Sequence, residues 1–511
     1  MKFITSLLFC FISSVILFSC SPIQKKGKIT NVVLLIGDDH ATTAVGCYGN
    51  EIIRTPNIDR LAEEGLLFEN AYSNAPVCSA SRQSILTGKY PHATGVTLLR
   101  TPFRDEGNTT IAEYLRFAGY VTAAVGKTHF NNWSPPIPDH GFSYTVTNSD
   151  YYTWRSVQGM PPIPDSIEVL PKWKPFVDPA RIWLNADVLP TGVTEEFSDA
   201  SYDAMKAIEF MKEHRDTSFF LLVGFHEPHS PFNFPIEYRG KYEPGDIPVP
   251  EGSQEDDRFV PEIFRDLTKE DKQGIIASYY TSTEYMDAQV GKILDAIDEL
   301  GLKKNTLVVY LGDQGYLLGD HKRFEKHTMW DPAIKAPLIF RVGDQGKGKR
   351  TEALTQFIDI VPTILDILDM SGLPEAQGKS LKYLFENQNA RGNDYVFAEF
   401  PEDNKAMVTD GKWKYVYTTG LYDLGQGYAT GEGPSGVLHK LYDLENDPDE
   451  TTNVAGLPGN QTILKSLQLQ MIKIFKETHP MAGEISDTVS VEEFLAWFCE
   501  PRDEGAERGE R

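Results

Sequence analysis

The chain has 511 residues, 41% apolar and 24% charged, a composition that supplies a large buried core and excludes a disordered or repeat protein. Asp and Glu number 73 against 49 Lys and Arg, a formal charge of −24. With no basic segment, that balance excludes a nucleic-acid binder, and any anionic ligand must be held by a local group of cations.

The first element in the chain is a targeting segment, residues 1 to 20: Lys2, an apolar run from Phe3 to Phe18, then Ser19 and Cys20. It is too short and one-sided for a membrane span. "VILFSC" resembles the lipobox of bacterial lipoproteins, whose cysteine becomes the lipidated first residue of the mature chain. That resemblance implies a lipid anchor at Cys20, a tether over 21–29, and an exported protein of the periplasm or outer membrane. Setting aside Cys10 and Cys20 leaves Cys47, Cys78 and Cys499, an odd number that implies no disulfide framework.

The folded part opens with "NVVLLIGDD", an apolar run expected of a strand buried on both faces of a parallel sheet. A Pro-initiated helix at 55–65 and a helix after Cys78 follow. Helix and strand then alternate: "TIAEYLRFAG" with "YVTAAVGK", "SYDAMKAIEFMKEH" with "FFLLVGF", a long helix within 269–300 with "TLVVYLGD", and "PLIFRV" before "FIDIVPTILDILDMSG". This predicts an α/β fold, a doubly wound and mostly parallel sheet, over a domain at 30–389. Residues 132–190, rich in Pro, Trp and Tyr, read as an insertion lying over the active-site rim. Residues 390–500 read as a smaller α+β subdomain with an antiparallel sheet, and 501–511 as a charged, disordered tail.

In doubly wound sheets the site lies beyond the carboxyl ends of the strands. Asp38 and Asp39 follow the first strand, Lys127 and His129 another, His226 and His229 a third, Asp313 and Gln314 a fourth. Adjacent carboxylates suit a hard divalent cation with oxygen ligands, although a lone Asp-Asp is more often a cap or turn. Lys127, His129, His229 and Lys326 supply cationic or proton-transferring groups, and a rigid turn makes His226 a positioning residue. Cys78 stands at a helix start, where backbone N–H groups lower a thiol's pKa, with Arg82 one turn on along the same face.

"CSASR" with the Leu-Thr-Gly at 86–88 resembles the signature of the type I formylglycine-dependent sulfatases, within the alkaline phosphatase superfamily. "LYDLENDPDETTNVAG" at 441–456 resembles their closing segment. The resemblance implies oxidation of Cys78 to formylglycine by a maturation enzyme, the hydrate of which attacks sulfur. It implies one Ca²⁺ per chain, held by Asp38, Asp39, Asp313 and Gln314 with modified Cys78. Arg82 would steady the hydrate and His129 partner its second hydroxyl. Lys127, His229 and Lys326 would bind sulfate, with His229 as proton donor to the leaving alcohol. Ala80 stands where many members carry Pro, and Gln314 where Asn or His is usual. "FFLLVGFHEPHSPF" and "GDQGYLLGDHKRFEKHTMWD" are similar to iduronate-2-sulfatase and related glycan sulfatases, which implies a sulfated-carbohydrate substrate. Tyr151, Tyr152, Trp154, Trp173 and Trp183 are candidates for stacking on sugar rings, and Arg155, Lys172 and Arg181 for reaching further anions. Two alternatives stay open: a phosphonate monoester or phosphodiester hydrolase of the same superfamily, and a non-catalytic glycan-binding lipoprotein should Cys78 not be matured.

Overall fold

The computed structural model describes residues 28–132, 137–171, 183–343, 345–418 and 438–503. The strands are β1 (Asn31–Gly37), β2 (Leu66–Phe68), β3 (Ala71–Tyr72), β4 (Val121–Gly126), β5 (Tyr144–Val146), β6 (Phe219–Gly224), β7 (Thr306–Gly312), β8 (Leu338–Val342), β9 (Lys349–Thr351) and β10 (Thr355–Gln356). Eight of them form one sheet in the order β5-β4-β6-β1-β7-β8-β2-β9, while β3 and β10 pair separately. From β5 to β7 every pairing is parallel, and β8 alone runs against its neighbours β7 and β2.

The continuous apolar run of β1 is explained by its two covers. Val32, Leu34 and Ile36 join one hydrophobic layer with α3 (Ile111–Phe117) and α7 (Ile360–Ile367). Val33 and Leu35 join the other, with α1 (Pro56–Glu64), α5 (Asp199–Glu213) and α6 (Lys269–Glu299). Both faces are dry, which is the doubly wound arrangement expected.

The insertion corrects one expectation. Its first described part adds the edge strand β5 and helix α4 (Asn148–Ser156), whose Tyr151 and Trp154 pack on Tyr202 of α5 and place it at the flank of the sheet. Tyr151 and Trp183 are buried and Trp154 is partly buried against the same cluster as Tyr151, whereas Tyr152 is exposed. Lys172, Trp173 and Arg181 lie outside the described residues.

The C-terminal subdomain is an antiparallel sheet of β11 (Val396–Phe400), β12 (Lys405–Thr409), β13 (Trp413–Thr418) and β14 (Leu438–Asp443). Period-2 alternation splits it. Tyr415 and Tyr417 pack on α8 (Gln461–Thr478) and α9 (Val491–Phe498), while Val416 and Met407 face Tyr72, Val77 and Ala80 of the larger domain. Of the segment read as a charged tail, Asp503 is anchored: its carboxylate accepts from the Thr97 and Leu98 amides at 2.7 and 3.0 Å. Among the described residues no helix is long and apolar enough to cross a membrane.

Candidate active site

Parallel pairing carries on past the strands and brings their ends abreast. The Asp38 amide donates to the Glu227 carbonyl at 3.0 Å, Asp313 to Gly37 at 3.0 Å, and Lys127 to Gly224 at 2.7 Å. Asp38, Asp39, Lys127, His229, Asp313 and Gln314, drawn from four strand ends, thereby share one rim, as the sequence predicts. Asp39 and His129 sit at φ 59° and 62°, in the left-handed region that ordinary residues seldom occupy. The Tyr279 hydroxyl holds the turn at Asp39, donating to its carbonyl and accepting from the Ala41 amide at 2.9 Å.

Helix α2 (Cys78–Thr87) crosses this rim. All ten of its residues are buried although six are polar, and three of those side chains bind the strand ends. Ser81 donates to the Asp313 carbonyl, Gln83 to the His129 carbonyl at 3.1 Å, and Arg82 to Asp313 Oδ2 at 2.7 Å and the Lys127 carbonyl at 2.6 Å. A Cβ on Gly224 would stand 2.0 Å from the Lys127 carbonyl oxygen and 2.9 Å from Arg82 Nη1, so only glycine leaves this crossing open. The Leu-Thr-Gly ending is a helix stop, with Gly88 at φ 70° capping the Ser84 carbonyl.

At the helix start, Cys78 is 1% exposed and its Sγ lies 3.7 Å from Lys326 Nζ. Lys326 also pairs with Asp39, and Lys127 with Asp38. His229 Nδ1 donates to the Ser230 carbonyl at 2.7 Å, leaving Nε2 facing Asp39 Oδ2 at 3.7 Å. His226 lies beside it, ring centroids 5.0 Å apart and planes tilted by 54°.

Burial opposes every charge here, and the neighbours decide. For Asp38, burial is outweighed by Lys127, His229, Arg82 and Lys326, and its carboxyl is held well below the usual range. For Asp39, burial and Asp38 prevail over Lys326 and the pKa rises. Burial, Asp38 and Asp39 push Asp313 up to about 7 despite Arg82. Burial together with Lys326 and Lys127 drives His229 down to about 3. Burial also pushes the Cys78 thiol up, against Lys127 and Lys326. This corrects the lowering expected from the helix N-terminus, and it disfavours a thiolate nucleophile. Arg82 differs too, since Nε and Nη1 are committed to the strand ends and only Nη2 is without a hydrogen bond.

Burial is the main reason that two of the three carboxylates are raised, and a divalent cation in contact with them would favour their charged forms. Asp38 Oδ1 and Gln314 Oε1 are buried without hydrogen-bond partners. Oxygen or sulfur atoms of Asp38, Cys78 and Asp313 lie within 4.8 Å of one another. Hard oxygen donors of this kind fit Ca²⁺.

A family model described as Sulfatase matches residues 30–370. The chain belongs to the sulfatase family. It is accordingly a sulfuric ester hydrolase of the alkaline phosphatase superfamily. A second model, N-sulphoglucosamine sulphohydrolase, C-terminal, matches residues 319–477. This sulfatase is 30% identical to an arylsulfatase of Clostridium perfringens, over 83% of this chain and 90% of that one. It is 34% identical to the human iduronate 2-sulfatase over 61% of this chain and 59% of the relative. Among solved structures, the phosphonate monoester hydrolase of Agrobacterium radiobacter superposes with TM-score 0.73 at 22% identity, covering 88% of this chain and 96% of that one. A protein solved with its substrate D-glucosamine-2-N,6-O-disulfate superposes with TM-score 0.69 at 22% identity, covering 88% and 98%. Both likenesses are of fold.

Ser81, Gln83 and Tyr279 were missed by sequence reasoning. The first two lie inside and beside "CSASR", where adjacency to Arg82 is the signal, whereas Tyr279 sits inside a long helix and carries none.

Proposed function

We propose that this sulfatase removes sulfate from a sulfated sugar of glycosaminoglycan type, with formylglycine at position 78 and one Ca²⁺ held by Asp38, Asp39, Asp313 and Gln314 beside residue 78. The observation that carries this reading is the placement of Cys78 Sγ 3.7 Å from Lys326, among buried acids with orphaned oxygens. When present, the pair supplies a hydroxyl nucleophile and a Lewis acid that withdraws charge from the ester. The names of the relatives, iduronate 2-sulfatase and the N-acetylglucosamine-6-O-sulfatase of Bacteroides thetaiotaomicron, support the choice of sugar.

The chain's own groups perform the rest. Lys127 and Lys326, paired here with Asp38 and Asp39, would hold the sulfate oxygens if a bound cation took over those carboxylates. His229, fixed by Ser230, presents Nε2 to the departing oxygen; burial, then Lys326 and Lys127, keep its pKa low, and bound sulfate would oppose the two lysines. His129, whose Nδ1 is buried without a partner, would be the group to take a proton from a hydrate at position 78. Maturation requires a formylglycine-generating enzyme, and the leader with Cys20 directs the protein to the bacterial envelope as a lipoprotein.

Desulfation of defined glycosaminoglycan disaccharides, run beside matched phosphate and phosphonate esters, tests the proposal. Turnover confined to sulfated sugars supports it. Preference for phosphonate monoesters would replace it with the second reading, a phosphonate monoester or phosphodiester hydrolase.

A further inference from the structure

The residue after Lys326 leads away from the sulfate cradle along a second run of cations. His327 lies flat on Phe400, the rings 6° from parallel with centroids 5.3 Å apart. Phe400 ends β11 and is directly opposite Lys405, the first residue of β12. Residues opposite each other in an antiparallel pair share a face, so Lys405 stands beside the same ring. The hairpin tip between them is braced on the larger domain, where Glu402 accepts from the Leu99 amide at 3.1 Å and the Leu98 carbonyl accepts from Ser79 of α2 at 3.2 Å. The C-terminal subdomain thus reaches the catalytic rim at this point.

The charges that weigh most on His327 are Lys326, Lys405, Arg323 and His229; they and burial push it well below the usual histidine range. The acids nearby are already engaged, Asp403 with Lys405 and Glu325 with Arg323. These engagements differ in strength. Arg323 and Glu325 are buried and their pair is fixed, whereas the side chains of Lys405 and Asp403 are each 24% exposed, and a pair so wetted is weak enough for an incoming anion to displace.

We propose that Lys405 and the His327 face of the hairpin form a second anion subsite, which takes a carboxylate or a further sulfate on the sugar whose ester is held at Lys127 and Lys326. The inference rests on the sulfatase reading above and adds the substrate's charge pattern to it. Lys405 is the first residue of β12 and its side chain is 24% exposed, so a substitution there falls at a partly solvated strand terminus.

The test is Lys405→Met, with Lys405→Arg as the conservative control. Two pairs of sugars serve as probes: glucosamine 6-sulfate against glucosamine 2-N,6-O-disulfate, and a uronate 2-sulfate against its carboxyl-reduced counterpart. Affinities are measured by calorimetry on a Cys78→Ala background and KM on the matured enzyme, with nitrophenyl sulfate as a singly charged reference. The unsubstituted protein should prefer the doubly anionic member of at least one pair. Lys405→Met should weaken that member by about tenfold or more, in KM and affinity with kcat little changed. Lys405→Arg should restore it, and nitrophenyl sulfate should change less than about twofold. Whichever pair responds identifies the second group. No preference within either pair, or equal losses on nitrophenyl sulfate, overturns the subsite while leaving the sulfatase reading intact. Failure of matured, unsubstituted protein to cleave any sulfate ester would instead overturn that reading, and the calorimetric arm would still decide the subsite.

Discussion

Two regions of the molecule bury several opposite charges, and they treat them differently. At the junction of the two domains, Lys414 lies fully buried between Asp331 Oδ1 at 2.8 Å and Glu450 Oε1 at 2.7 Å, while Asp331 Oδ2 takes Lys335 at 2.8 Å and the Tyr72 hydroxyl at 3.2 Å. The Asp331 amide closes the group on Glu450 Oε2 at 2.6 Å. Lys335 and Lys414 outweigh burial and hold Asp331 far below the usual carboxylate range. On the catalytic rim, Asp38, Asp39 and Asp313 meet Lys127, Lys326 and Arg82, yet Asp38 Oδ1, Arg82 Nη2, Gln314 Oε1 and His129 Nδ1 are left without hydrogen bonds. In the first group every carboxylate oxygen takes a hydrogen bond except Glu450 Oε1, which Lys414 meets as an ion pair, and the group serves stability. The second leaves bonding capacity open, as the proposed cation and substrate would require.

If that contrast is right, substitutions should divide cleanly between the regions. Cys78→Ala should abolish turnover with Tm unchanged within about 3 °C. In the tryptic peptide of active protein, mass spectrometry should find an aldehyde or its hydrate at Cys78; a free thiol in fully active material refutes the maturation. Asp38→Ala with Asp313→Ala should remove the one divalent ion per chain, measured by elemental analysis, together with activity that Ca²⁺ restores after chelation only in the unsubstituted protein. Retention of the ion would break the assignment of the rim.

His229→Ala sharpens the comparison by leaving group. A proton donor matters for a sugar alcohol and hardly for nitrophenolate, so the loss in kcat/KM should be about 10²-fold greater on a sulfated sugar. Equal losses would mean that His229 only binds sulfate. Lys414→Met should have the smallest effect on turnover, with kcat preserved within about twofold, because no reacting group is touched. It leaves Asp331 and Glu450 without their shared cation, and denaturant unfolding should show a loss of about 3–5 kcal/mol. Unchanged stability would erase the distinction drawn here.

The sequence made the central strands legible because "NVVLLIG", "FFLLVG" and "TLVVYLG" are buried on both faces and read as unbroken apolar runs. The strand-end rule then located Asp38, Lys127, His229 and Asp313. The reversed direction of β8 was not legible, because an apolar run such as "LIFRV" carries no sense of direction. The sign of the Cys78 shift was missed for another reason: a helix N-terminus is visible in sequence, but the burial that outweighs it depends on chain brought in from 127, 313 and 326. That Arg82 commits Nε and Nη1 to Asp313 and the Lys127 carbonyl was hidden for the same reason.

The order of the sheet also sets a timetable. β1 lies between β6 and β7, so the rim cannot close until both have left the ribosome, and Asp313 follows Arg82 by 231 residues. At the usual rate of synthesis, about 5–20 residues per second, that interval is roughly 10–50 s. For that long Cys78 belongs to a chain whose site does not yet exist, whereas in the finished fold it is 1% exposed. A chemical change to this residue therefore has a window that opens with its synthesis and shuts with folding.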